Sequence, residues 1–393
     1  LQASIVKNRL LQKTRGLVAV WKHLFLTLIL INAGPASLSA DDGVTDLNPP
    51  VRAIVVSPQA NLMQGDEAKN TIPPGQLLTF VKAKGDWRYT PDFRGWVSVR
   101  DVVLLEQAVP YFTNVIRTKP TPAAYHHRGI AYAAQQDWAN ALKDFQEAIR
   151  RGEGTTFVYV NRGLALREQG QTAQAIKDFT QAISIDPKNT QAYMLRGLSL
   201  MDDGHYEAAV KDFEAAASNA PKAPDPQNQL GVALRALDRN DEALAAFEKA
   251  LTLAPKHAEA LANRGFSRCL KGEFAGAVAD YEAALELQPN NPEFLNDFAW
   301  LLATCRDESF LNADRALELS KKANELTGEP PLPEFLDTLA AAYARKGDFK
   351  SAITTAGKAL QAMKNDPNAP AAEVHARLKL YEKGQPYTEK TAN

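Results

Sequence analysis

The sequence predicts a mainly α protein: an α-solenoid of about seven helix-turn-helix repeats, preceded by a small β module. Three observations carry that expectation. Small, aromatic and alanine columns recur every 34 residues from Gly129 onward, residues 51–105 carry short β-rich runs between turn residues, and a basic, then apolar, then small-residue segment opens the chain. The 393 residues allow more than one domain, and a formal net charge of -1 leaves no basic footprint of the kind nucleic-acid binding requires.

Lys7, Arg9, Lys13, Arg15, Lys22 and His23 precede the apolar run from Leu24 to Ile31, and Ala33, Gly34, Ala36, Ser37, Ser39 and Ala40 follow it. This order reads as a secretory signal over residues 1–40, cleaved near residue 40, which predicts a periplasmic or cell-envelope protein. The alternative is an uncleaved anchor extended by Leu17–Trp21, the one way in which this reading touches a membrane. Residues 41–50 are polar, end in Pro49-Pro50 and read as a linker.

In residues 51–105 the runs Ala53–Val56, Leu77–Val81 and Trp96–Val99 predict strands. Pro73-Pro74-Gly75, Gly85-Asp86 and Asp92–Gly95 predict the turns between them. So many short strands suggest a closed small barrel. The order Gly85-Asp86-Trp87 and Gly95-Trp96-Val97 resembles bacterial SH3-like domains. The resemblance implies a spacer or a peptide- or wall-binding module. Trp87, Tyr89, Phe93 and Trp96 are then candidates for an aromatic groove, or, for Trp87 and Trp96, the core of the barrel.

Residues 106–121 read as a connecting helix, and the array follows over residues 122–366. Its units run 122–155, 156–189, 190–223, 224–257, 258–291, 292–332 and 333–366. Gly129, Gly163, Gly197, Gly231 and Gly265 form one column, and Ala141, Ala175, Ala209, Ala243 and Ala277 a second. Phe145, Phe179, Phe213, Phe247 and Tyr281 form a third, and Pro187, Pro221, Pro255 and Pro289 close the later units. Small residues let two helices of a unit approach, an aromatic fills the space beside them, and proline ends a helix. The period and columns resemble tetratricopeptide repeats. An insertion after Cys305 breaks the register of the sixth unit, and residues 367–393 read as a capping helix and tail.

The resemblance implies a protein-protein interaction scaffold whose first helices line a concave groove. Positions six and two before the small column then face the partner. They include His127, Asn161 and Gln191 in the neutral N-terminal half, alongside Ala123, Phe157 and Leu195. Further on they become Asp225, Gln229, Glu259, Asn263, Glu293, Asp297 and Glu334, which predicts a basic partner segment or else plain solvated carboxylates. No Lys or Arg occupies these columns, which argues against a carboxylate clamp. Arg128, Arg162, Arg196 and Arg264 form a stripe one residue before the glycines, read as structural hydrogen bonding rather than a ligand surface.

Nothing in the sequence asks for catalysis, a cofactor or a metal. Phosphate loops, His-Glu-x-x-His, Cys-x-x-Cys and Gly-x-Ser-x-Gly are absent, and His126 and His127, as helix neighbours, point about 100° apart. Cys269 and Cys305 read as buried or half-buried thiols, with a disulfide between adjacent repeats as the alternative. A second functional reading gives the β module a peptidoglycan-binding role that recruits an enzyme through the repeats.

Overall fold

The computed structural model describes residues 44–389 except 58, 66, 329 and 365–368. The expected export signal, residues 1–40, lies outside the described residues. Two compact units divide them, one ending at Ser199 and one beginning at Leu200. Among the described residues no helix is long and apolar enough to cross a membrane.

The first unit opens with seven strands: β1 (Thr45–Val55), β2 (Ala60–Gln64), β3 (Glu67–Ile72), β4 (Leu77–Lys84), β5 (Trp87–Thr90), β6 (Gly95–Ser98) and β7 (Val102–Leu104). They form one sheet in the order β3-β2-β6-β5-β4-β1-β7, in which β3 and β7 are edges and do not pair with each other. The sheet is therefore open, which overturns the expected closed SH3-like barrel. β1 begins at Thr45, inside the stretch expected as a linker, and its first residues pair with Ala83 and Lys82 of β4. Lys84 pairs with Trp87 across the two-residue loop Gly85-Asp86, where Gly85 takes a φ of +54°. One face of the sheet buries an apolar core of Ala53, Val55, Leu62, Ile72, Leu78, Phe80 and Val97.

Six helices follow: α1 (Leu105–Thr118), α2 (Pro122–Ala134), α3 (Trp138–Arg150), α4 (Thr156–Glu168), α5 (Thr172–Ile185) and α6 (Thr190–Asp202), the last of which runs past the unit boundary. Pro110 falls in the second turn of α1, which begins at Leu105. Ile54 of β1 packs with Ala108 and Phe112 of α1 and Ala131 of α2, which ties the sheet to the first repeat. Thr121 caps α2 by accepting from the Ala124 amide, with Pro122 in the first turn, and Asp137 caps α3.

The second unit contains α7 (Tyr206–Asn219), α8 (Pro224–Ala236), α9 (Asn240–Leu253), α10 (Ala258–Lys271), α11 (Phe274–Leu287), α12 (Pro292–Thr304), α13 (Ala313–Thr327), α14 (Pro333–Arg345), α15 (Phe349–Met363) and α16 (Ala371–Glu382). α8 with α9, α10 with α11, α12 with α13 and α14 with α15 are antiparallel pairs, as are α2 with α3 and α4 with α5 in the first unit. The insertion after Cys305 holds a short 3-10 turn, Glu308–Phe310. Cys305 is a buried free thiol whose pKa burial pushes up, and Cys269 is half-buried.

The two small columns act differently. Ala141, Phe145 and Ala148 are wholly buried, as are Ala175, Phe179 and Ala182. A Cβ on Gly129 would stand 2.6 Å from the Phe145 ring, and one on Gly231 2.5 Å from Phe247. The aromatic thus lies against the glycine of its own unit.

Candidate interaction surface

Successive first helices are packed more closely than successive second helices in both units: α2 touches α4, α8 touches α10, α10 touches α12, and α12 touches α14. That asymmetry puts the first helices on the inner side of each stack, where an extended partner meets several repeats at once. The residues expected to face a partner divide into several fates.

In the first unit His127 is covered. Its ring lies under the β3–β4 turn, so that a Cβ on Gly75 would meet its Cδ2 at 2.5 Å, and Phe112 stands 5.5 Å from it. Burial, aided by neighbouring His126, lowers its pKa to about 4. Asn161 is taken up by an internal link. Its Nδ2 donates to His126 Nε2 at 3.0 Å, and His126 Nδ1 meets Glu153 at 2.9 Å, so α2, the loop after α3, and α4 are tied together. Gln191 is exposed and Leu195 buried. Phe157 is the most open large apolar residue here, 66% exposed.

The same tie recurs in the second unit. Asn263 of α10 donates from Nδ2 to Asn228 Oδ1 of α8 at 3.1 Å, the two residues standing where Asn161 and His126 stand. Its own carbonyl and Oδ1 accept from Arg235 at 3.0 and 3.2 Å. Arg235 is 1% exposed and lies between the rings of Phe247 and Phe266, at 5.5 and 4.9 Å. Burial lowers its pKa to about 10, opposed by Tyr281 and Asp297, which keeps it charged. Within the five regular units Arg235 shares its column only with Arg167, two periods earlier, and Ala133, Met201 and Cys269 fill the other places, so periodicity gives little warning of it. Its sign is that it stands among apolar residues at a buried helix position.

Above this cation the face is acidic. Asp225 and Glu259 are exposed, and Gln229, Glu293, Asp297 and Glu334 are half-buried. His257 caps α10 by accepting from the Ala260 amide at Nδ1, and its Nε2 lies 3.0 Å from Asp225. Burial disfavours charge on this ring, but Asp225 and Glu259 outweigh it and raise the pKa. Gln288 donates to Glu259 at 3.2 Å.

The arginine stripe is internal. Arg128 and Arg162 each make two parallel bonds, of 2.7–2.8 Å, to Asp144 and Asp178 on the second helix of their own unit. Arg264 makes the equivalent pair with Asp280 at 2.7 and 2.9 Å. In the fourth unit both charges are missing together, Leu230 and Ala246 standing in their places. The signal for the pairing was therefore in the sequence, in aspartates that share the arginines' period.

Trp87, Tyr89 and Trp96 share the open face of the sheet. Tyr89 pairs with Trp96 across β5 and β6, with rings edge-on at 5.4 Å, and Trp87 is 39% exposed. Neither tryptophan forms the sheet core. Phe93 leaves the set and packs against that core. Among the described residues no group of three or more His, Cys, Asp or Glu is placed to hold a metal.

Residues 120–188, and residues 160–224 with 228–303, match two family models, each described as a tetratricopeptide repeat. Over these residues the helical pairs are similar to tetratricopeptide repeats. No curated protein matches the chain. Among solved structures, a tetratricopeptide repeat protein from Parabacteroides merdae is similar at 17% identity and a TM-score of 0.53, over 66% of this chain and 98% of that one. A chain of the Cut9-Hcn1 hetero-tetramer of the APC/C gives 15% and 0.54, over 70% of this chain and 52% of that one. MamA from Desulfovibrio magneticus RS-1 gives 21% and 0.41, over 43% of this chain and 95% of that one. The two likenesses with TM-scores above 0.5 concern the fold alone.

Proposed function

We propose that the chain is a non-catalytic scaffold of the tetratricopeptide type that holds a basic segment of a partner protein along the first helices of the second unit. The observation that supports this most is the run of carboxylates Asp225, Glu259, Glu293, Asp297 and Glu334 on four successive first helices, with no Lys or Arg at the equivalent positions. An extended chain laid across α8, α10, α12 and α14 meets a carboxylate at each step, so Lys or Arg side chains at intervals complement it. His127 is covered and Asn161 is bonded internally, so the neutral positions of the first unit contribute less to this reading.

An array of synthetic peptides of graded Lys and Arg content tests it, with binding read at two ionic strengths. The reading expects selective binding of basic peptides, reduced by salt, and lost in the double variant Glu259→Lys with Glu293→Lys. Equal binding by wild type and that variant removes this face from consideration.

A further inference from the structure

The chain continues past its last helix into a slot. α16 ends at Glu382, Gly384 turns the backbone with a φ of +68°, and Gln385 donates back to the Leu380 carbonyl at 2.9 Å. Gln385–Glu389 then run without helix or strand across the C-terminal ends of α12 and α14.

Each contact there is one that a peptide site makes. Arg345 is fixed by its Nε bond to the Ala303 carbonyl at 2.6 Å, and its Nη2 donates to the Tyr387 carbonyl at 2.7 Å and to Thr388 Oγ1 at 2.9 Å. The Glu389 amide donates to the Thr304 carbonyl at 2.7 Å, and Trp300 Nε1 donates to the Glu389 carboxylate at 2.6 Å. The Tyr387 ring stands 6.0 Å from the Trp300 ring and 5.5 Å from the Arg377 guanidinium, which Asp337 holds in a buried bidentate pair. Two main-chain groups are thus read by hydrogen bonds, one ring by an aromatic and a cation, and one carboxylate by an indole N–H. Backbone bonds give such sites affinity, and side-chain pockets give them selectivity.

The tail is not needed to close the array. Val374 and Tyr381 of α16 already bury against the last repeat, whereas Tyr387, Thr388 and Glu389 remain half-buried. The receiving groups Trp300, Thr304, Arg345 and Arg377 are set by the helices beneath.

We propose that this slot is a peptide-recognition site for extended segments carrying an aromatic residue two positions before a carboxylate, occupied in cis by the chain's own tail. A partner bearing that pattern binds by displacing the tail. Because the tail is tethered, its effective concentration is of millimolar order, so the intact chain discriminates against weak competitors. The site is separate from the acidic face and does not depend on it.

The test uses the full chain carrying Tyr387→Ala and Glu389→Ala, titrated with a fluorescent synthetic peptide of the sequence of residues 385–389. The variant is expected to bind at least tenfold more tightly than wild type, and a peptide with both positions replaced by alanine is expected not to bind. Equal affinity for the two proteins, or no binding to a variant whose circular dichroism melt matches wild type, overturns the proposal. A second measurement needs only the wild type. Excess unlabelled peptide is expected to speed hydrogen exchange at the Glu389 amide, and an unchanged rate at saturating peptide overturns the proposal irrespective of how the variant folds.

Discussion

Gly163 of α4 lies so close to Phe179 of α5 that a Cβ on the glycine would stand 2.7 Å from the ring. Glycine weakens a helix by about 1 kcal/mol relative to alanine, so its place in mid-helix is explained by what it lets approach. Gly163→Ala therefore forces the ring aside, at a cost of about 1–3 kcal/mol that outweighs the gain in propensity. At Gly265 the nearest atom to such a Cβ is Asp280 Cβ at 3.2 Å, with Tyr281 at 3.5 Å, so Gly265→Ala is the milder change. Thermal melts of the two variants, and of Gly129→Ala and Gly231→Ala, should rank in that order. A Gly163→Ala melt above that of Gly265→Ala contradicts the packing account.

The Arg162–Asp178 pair offers a sharper comparison because the chain contains its own neutral version. Arg162→Leu alone strands a buried carboxylate and should destabilise by about 3 kcal/mol. Arg162→Leu with Asp178→Ala reproduces the Leu230 and Ala246 combination of the fourth unit. It should recover most of that loss, and a double-mutant cycle in denaturant would measure the coupling. If the double variant is no more stable than Arg162→Leu, the pair is not a closed unit.

His127 sets a pH dependence. Its pKa of about 4 in the folded chain lies below the 6.5 of an unfolded histidine, so the unfolded chain binds the extra proton first. The stabilisation is complete above pH 6.5 and is lost as pH falls from 6.5 toward 4, amounting to about 3 kcal/mol from this group at ~1.4 kcal/mol per pKa unit. As pH falls across that range the unfolding midpoint of wild type should drop relative to that of His127→Gln, which has no ring to protonate. A parallel pair of curves would show that the ring does not titrate beneath the turn.

Charge on the first-helix face predicts how partner binding responds to salt. Exposed carboxylates such as Asp225 and Glu259 are screened over about 10 Å at 0.1 M salt, so affinity for a basic peptide should fall as salt rises. The slope of affinity against ionic strength should shrink in the Glu259→Lys, Glu293→Lys variant. An unchanged slope would place the binding elsewhere.

The repeats were legible because their packing is steric and periodic: one residue too large at Gly163 or Ala175 is felt at once, and the same constraint returns every 34 residues. The sheet was not legible to the same degree. β3, Glu67–Ile72, is exposed along nearly its whole length and carries no hydrophobic alternation, so nothing in its composition marks it as a strand. Strand order also depends on which edges meet, and β1 pairs with both β4 and β7 across long separations. Among the candidate site residues, columns showed which positions share a helix face but not which side chains reach a neighbour. Asn161 and Asn263 bond His126 and Asn228, a link between two different columns of adjacent repeats that no single column displays. Arg235 shares its column only with Arg167, the tail residues Tyr387 and Glu389 belong to no period, and only their surroundings make them meaningful.

The turn that carries Gly75 rests on His127, while Ile54 fills the space between α1 and α2. A column of like repeats has no intrinsic end, since each unit offers its neighbour the surface that it received from the one before. Here α1, backed by the sheet, takes the place where a preceding unit would stack. The surface that α2 would offer to an earlier unit is thereby spent within the chain, and the count of repeats begins at α2.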